Sequence, residues 1–232
     1  MPLKSWIEHA GYAIEGVLHA AKTQRHLRYH FYAAILVLLV VFILGVTRTE
    51  FLIISLAVIL VLLAEMLNTA VEATVDLLSP ERAEKAGIAK DVAAGAVLIT
   101  SFGAAVMGAI VLYPYLENIF IEGFTIARHI GPDIAIFALV LVLIAVVLLK
   151  SYMGKGKPLS GGMPSGHAAL AFSVWTSITF ISGNFYVSAA SFILALSVAA
   201  SRISKHVHHP FEVVAGAAIG ASITFALFRI FS

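Results

Sequence analysis

The chain has 232 residues, 60% of them hydrophobic and 12% charged, with a formal net charge of +2. A soluble globular domain carries about 25% charged residues, so this composition points to a bilayer. The small, scattered positive charge argues against nucleic acid as a partner, and the absence of cysteine excludes disulfides.

In chain order, the first element is amphipathic. Trp6, Ile7, Ala10, Ile14, Val17, Leu18 and Ala21 recur at helical spacing, with Glu8, His9 and Glu15 on the other side. This predicts a helix lying in the membrane interface. No compact apolar core with a cleavage site marks a signal peptide. Seven apolar runs follow: Phe31–Thr47, Phe51–Ala64, Val92–Leu116, Asp133–Leu149, Ala168–Ser182, Phe185–Ala200 and Phe211–Phe231. With polar ends added, each approaches the roughly 20 residues that a spanning helix needs. The expected fold is an all-α polytopic membrane protein, with an interfacial helix and about seven transmembrane helices. If the N-terminus is cytoplasmic, seven spans leave only Arg48, Arg128 and Arg229 outside, with the other twelve Lys and Arg inside. That bias predicts a cytoplasmic N-terminus and an outer C-terminus.

The stretch Tyr113–Asp133 breaks the apolar pattern with Pro114, Glu117, Glu122, Gly131 and Pro132. It divides the chain into 1–116, a linker at 117–132, and 133–232, with three and four spans respectively. Each half has its own cluster of polar residues at membrane depth, where such residues are costly and are functional candidates.

In the first half, "AEMLNTAVEATVDLL" carries Glu65, Asn68, Glu72 and Asp76 directly after an apolar run. On a helix the three carboxylates fall within roughly 40° of one another, and Asn68 about 60° to one side. Such a stripe needs a compensating partner, and a divalent cation shared with substrate phosphates suits it. Pairing with Lys90, Arg25 or Arg28 is the structural alternative. These residues resemble the small integral-membrane diacylglycerol kinase family, whose Gram-positive members phosphorylate undecaprenol. The likeness runs from about Trp6 to Leu116 through "AGY" at Ala10–Tyr12, "ExxNTAxExxxD" at Glu65–Asp76 and "AKDxxAGAVL" at Ala89–Leu98. The resemblance implies Glu65 as general base for a lipid hydroxyl. Glu72 would hold Mg²⁺ with the ATP phosphates, and Tyr12, Asn68, Asp76, Lys90 and Asp91 would bind ATP. It also implies a homotrimer with shared sites. One departure stands out: Gln24 replaces the family's second metal-binding Glu, keeping an oxygen donor without the charge.

In the second half, "KSYMGKGKP" places Lys150, Lys157 and Pro158 just before "PSGH" (Pro164–His167), and "SRISKHVHHPFE" holds Ser201, Arg202, His208 and Glu212. Seven spans bring all three segments to one face, where cations, a hydroxyl and glycine amides suit a phosphate. His208 and Glu212 stand four apart beside Pro210 at an expected helix start, so the carboxylate can orient the imidazole. The set resembles the type 2 phosphatidic acid phosphatase family, with motifs KxxxxxxRP, PSGH and SRxxxxxHxxxD. Lys157 here replaces Arg and Glu212 replaces Asp. The resemblance implies His208 as a nucleophile forming phosphohistidine, His167 as acid and Glu212 as orienting group. Lys150, Lys157, Ser165, Gly166 and Arg202 would bind phosphate, with no cofactor. That family commonly has six spans and an outward-facing site, whereas four spans after a cytoplasmic N-terminus put this one inside.

The sequence thus predicts a fused lipid phosphatase and ATP-dependent lipid kinase in a bacterial inner membrane, multi-pass, feeding undecaprenyl phosphate or phospholipid metabolism. Its partners would be membrane lipids: a lipid phosphate or diphosphate, and a lipid alcohol. A phosphatase with a dead, oligomerising kinase-like half is the first alternative. A proton- or cation-coupled transporter and a regulatory protein with both sites dead are more distant ones.

Overall fold

The computed structural model describes residues 2–79, 83–123, 125–153, 162–205 and 207–232, with side chains from Gly11 onward. Among them all regular structure is helical. The elements are α1 (Pro2–Thr23), α2 (Arg25–Leu44), α3 (Arg48–Leu78), α4 (Glu84–Glu122), α5 (Gly131–Met153), α6 (Gly166–Ser182), α7 (Phe185–Ser204) and α8 (Pro210–Phe231). Six of these, α2–α5, α7 and α8, are long and apolar enough to cross a membrane. The seventh expected span, α6, has 17 residues and reaches about 25 Å at 1.5 Å per residue, just under the roughly 30 Å hydrocarbon core. The protein is an all-α multi-pass membrane protein.

The helices form two compact units, one of residues 24–127 and one of residues 1–23 with 128–232. Helix α1 therefore packs with the C-terminal helices, against α5, whereas the sequence division placed it with residues 1–116. The reason is its apolar face: Leu18, Ala20 and Ala21 are buried there.

In the unit of residues 24–127, α3 packs against both α2 and α4. The turn between α2 and α3 is written locally. Gly45 takes the left-handed conformation (φ 66°) that closes a helix, and its N–H donates to Phe42. Thr47 then caps α3 reciprocally with Glu50, whose carboxylate accepts the Thr47 N–H at 2.9 Å. Tyr115 on α4 donates to the same carboxylate at 2.7 Å. Helix α4 runs through Pro114 to Glu122 and stops at Gly123 (φ 88°). Residues 117–122, expected in the linker, are thus helical. A single proline removes one backbone donor, which a membrane helix tolerates. None of the most apolar part of α4 is buried.

In the other unit α6 is central, packing against α5, α7 and α8. Gly183, left-handed at φ 56°, ends α6, and the Asn184 side chain accepts the Tyr186 and Val187 N–H groups to start α7. Two residues thereby suffice to turn the chain. Helices α6 and α8 meet backbone to backbone at Gly216 and Gly220. A Cβ on Gly216 would lie 2.2 Å from the Ser165 carbonyl oxygen, and one on Gly220 1.9 Å from that of Ala169. This small-xxx-small spacing lets membrane helices approach closely. Further along, Ser173 and Thr224 share a fully buried hydrogen bond of 2.7 Å.

Candidate functional site

The close approach of α6 and α8 fixes the first site. Glu212, in the first turn of α8, accepts the Ser165 N–H on its backbone carbonyl at 2.9 Å. Ser165 is the residue that opens α6, with Gly166 and His167 in its first turn. The "PSGH" segment therefore stands at a helix N-terminus, where free backbone N–H groups favour an anion. The Ser165 hydroxyl is buried and has no hydrogen-bond partner, and Arg202 Nε, at the end of α7, is likewise buried and unsatisfied. A phosphate would satisfy such donors.

The imidazole stands beside them. His208 is buried, and its Nδ1 lies 2.8 Å from Glu212 Oε2. The same carboxylate accepts the backbone N–H of His209 at 3.2 Å and, through Oε1, that of Gly162 at 3.1 Å. A carboxylate so held can only accept, so Nδ1 donates to it, and in the neutral imidazole this tautomer leaves the lone pair on Nε2. A cavity of about 160 Å³ is lined by His208, His167, Gly166 and Lys150. Lys150 is buried at the end of α5. His167 is partly buried, and the cationic side chains of Arg202 and Lys150 are near enough to act on it. The structure thus gathers Lys150, Ser165, Gly166, His167, Arg202, His208 and Glu212 at one end of the unit. Lys157 lies outside the described residues.

The second cluster sits on α3. Glu65 is buried, with His30 Nε2 of α2 at 4.0 Å from its Oε2. Asn68 Nδ2 donates to Glu72 Oε1 at 2.9 Å, while Asn68 Oδ1 is buried without a partner. Lys90 of α4 pairs with Asp76, so at that end of the stripe the structure shows the ion pairing given above as the structural alternative to a cation. Asp91 is exposed. Gln24 precedes α2 in extended backbone and makes no capping bond. Tyr12 is 69% exposed on α1 and belongs to the unit of α5–α8. Among the described residues no three His, Asp or Glu side chains form a ready metal cage. The oxygen donors still suit Mg²⁺, which keeps several waters and needs only one or two carboxylates. The orphaned Asn68 oxygen beside Glu72 is one such donor.

Comparison with known proteins accounts for both clusters. Residues 11–112 match the family model described as prokaryotic diacylglycerol kinase, and residues 149–232 match that of the PAP2 superfamily. The undecaprenol kinase of Bacillus subtilis is 36% identical over 113 residues, which cover 49% of this chain and 89% of that protein. The chain belongs to the prokaryotic diacylglycerol kinase family. The diacylglycerol kinase of Synechocystis is 37% identical over 111 residues, 47% of this chain but 63% of that protein, less than two thirds of its length. That of Haemophilus influenzae is 34% identical over 93 residues, 40% of this chain and 79% of its own. No solved structure matches the chain.

In this kinase-family member the C-terminal 84 residues matched to PAP2 begin in the last five residues of α5 and contain the His208–Glu212 pair. Sequence reasoning missed Gly216 and Gly220, which bring "PSGH" against α8. Their GxxxG spacing was the available signal. It also missed α1 as part of this unit, for which the buried Leu18 and Ala21 were the only trace.

Proposed function

We propose that the C-terminal unit hydrolyses lipid phosphates or diphosphates through a phosphohistidine. The observation that carries this reading is the 2.8 Å contact of Glu212 with His208 Nδ1, in a cavity that also holds Lys150 and His167. The His208 Nε2 lone pair attacks phosphorus, forming an N–P bond as the P–O bond to the leaving group breaks. His167 gives its proton to the departing oxygen. Lys150, Arg202, the Ser165 hydroxyl and the N–H groups opening α6 hold the remaining phosphoryl oxygens, with Lys157 added by the resemblance. Water, deprotonated by His167, then attacks phosphorus and breaks the N–P bond. The released phosphate leaves both imidazoles as they began.

The N-terminal unit is proposed to phosphorylate a lipid alcohol. Glu65, buried with His30 as its basic partner among the described residues, takes the hydroxyl proton, and Asn68, Asp76, Lys90 and Asp91 bind ATP. Glu72 and the Asn68 oxygen would hold Mg²⁺, with Gln24 as a further donor; the cation would neutralise phosphate charge during transfer. Undecaprenol fits as substrate through the Bacillus subtilis relative, and both activities would then converge on undecaprenyl phosphate. The unburied α4 supports assembly with further copies, a homotrimer by the family resemblance. A second reading, phosphatase alone on a kinase-derived scaffold, is favoured by Gln24.

Phosphate release from a panel of lipid phosphates and diphosphates, with ATP-dependent phosphorylation of undecaprenol and diacylglycerol, tests these readings. Failure to release phosphate from any of them overturns the first. The inner-membrane topology has its own test. A cysteine substituted for Ser204 is expected to react only from the cytoplasmic side, and one for Asn118 only from outside. Labelling of Ser204→Cys by an impermeant reagent in intact cells moves the phosphatase site outside.

A further inference from the structure

The kinase family model matches from residue 11, so the second half of α1 carries kinase-family sequence while packing in the phosphatase-like unit. Ile14, Leu18 and Ala21 lie within about 60° on one face of α1. Leu18 and Ala21 are buried. Ile14 keeps 45% of its surface exposed although it lines the cavity that holds His208. Tyr12 and His19 fall about 160° and 140° from Ile14, on the opposite side, and both are exposed.

The cavity is two-sided. Lys150, His167 and His208 form its polar end, and Ile14, Leu18, Leu143 and Leu170 contribute aliphatic wall. Its volume of about 160 Å³ lies below the roughly 300–1,000 Å³ of a pocket that encloses a whole drug-sized ligand, so it suits a phosphate and the carbons next to it rather than a whole lipid. A cation-lined end joined to an aliphatic wall fits a phosphate ester whose hydrocarbon begins at once. A bare or highly polar phosphate ester would leave the wall unused.

We infer that Ile14 and Leu18 of α1 form the wall for the phosphate-proximal carbons of a lipid phosphate, and so set the preference for lipid over water-soluble esters. This rests on the phosphatase reading above. The exposed face of α1, with Tyr12, stays free for other contacts, so the helix can serve this site without surrendering its kinase-family residues.

The test uses the full chain in detergent micelles and two substrates, a long-chain lipid phosphate and the highly polar ester glycerol 3-phosphate. Ile14→Ser should lower kcat/KM for the lipid phosphate about tenfold, mainly through KM, and leave glycerol 3-phosphate hydrolysis unchanged. His19→Ser places the same weak helix former on the exposed face and should alter neither. Leu18→Ala should repeat the selective loss. An equal fall on both substrates would assign Ile14 a purely structural role, and an unchanged lipid kcat/KM would remove α1 from the site. Wild-type protein that hydrolyses neither substrate would overturn the phosphatase reading itself. Selective hydrolysis abolished by His208→Ala but untouched by Ile14→Ser would overturn only the role of α1.

Discussion

Glu65 and His208 are equally buried, each 5% exposed, but their surroundings differ. His208 has a carboxylate at 2.8 Å, and that carboxylate accepts two backbone N–H groups as well. Its tautomer is fixed by the chain alone. Among the described residues the ion-pair partner of Glu65 is His30, at 4.0 Å, and the neighbouring Asn68 oxygen is unsatisfied. Burying a carboxylate without close compensation is costly. The His208–Glu212 pair is satisfied within one fold, while the neighbouring Ser165 Oγ and Arg202 Nε stay without partners. The α3 cluster leaves oxygen donors open on a single helix, as suits a site that a cation and a nucleotide finish. Burial alone therefore does not distinguish a finished catalytic group from one awaiting its partner; the hydrogen-bond partners do.

Removing the nucleophile gives the largest effect. His208→Ala should lower phosphate release by on the order of 10⁴-fold or more, as for other covalent catalysts stripped of their nucleophile. ATP-dependent lipid phosphorylation should be unaffected, because no residue is assigned to both sites. Near-normal phosphate release from purified His208→Ala would overturn the phosphohistidine assignment. Loss of kinase activity in the same variant would mean that the two sites are not independent.

The next effect acts through packing. The Cβ of Gly216→Ala would meet the Ser165 carbonyl oxygen at 2.2 Å. The obstacle is backbone, so the start of α6 must move off α8. The bond from Ser165 N–H to the Glu212 carbonyl would weaken, and the phosphate-binding residues would shift away from His208. A displacement of about 1 Å can cost 10²-fold in rate, so phosphate release should fall between about 10- and 100-fold with the His208–Glu212 pair intact. Kinetics beside a thermal denaturation curve check this. Unchanged turnover would show that the α6–α8 spacing does not hold the site.

The two sites also differ in how far the sequence reveals them. Lys150, "PSGH" and the His208–Glu212 spacing each indicate a chemical type and a position at a helix end, because punctuation by Gly and Pro is local. The acidic stripe was equally readable, since a run of helix fixes the angles between residues 65 and 76. What the sequence hid depends on distant backbone. Pro114 reads as a break, yet α4 continues through it, since one missing donor is a small loss in a 39-residue helix. The home of α1 was hidden too. An amphipathic stripe announces that something will cover it but not which helix, and Leu18 and Ala21 could have faced lipid as well as α5. Gly216 and Gly220 looked like ordinary small membrane residues until the opposing carbonyls of Ser165 and Ala169 gave them a reason.

The smallest effect concerns the unfinished site. Mg²⁺ favours anionic oxygen and is held by one or two carboxylates together with substrate phosphates. Glu72 supplies one carboxylate, with one of its oxygens already accepting from Asn68, while position 24 offers a neutral amide. Glu15, the acid before Gln24 on the first helix, lies more than two turns upstream and in the other unit, so it is not a ready substitute. Kinase activity should therefore demand unusually high Mg²⁺. Gln24→Glu should raise it several-fold at limiting Mg²⁺ and lower the concentration needed for half-maximal rate, without changing phosphatase turnover. Glu72→Gln should abolish kinase activity in both backgrounds, which separates loss of metal from loss of fold. Titration of ATP-dependent lipid phosphorylation against Mg²⁺ in the four proteins measures this directly. If Gln24→Glu is inactive at every Mg²⁺ concentration while its phosphatase remains normal, the kinase-family half is a scaffold, and the orphaned oxygen of Asn68 no longer serves a cation.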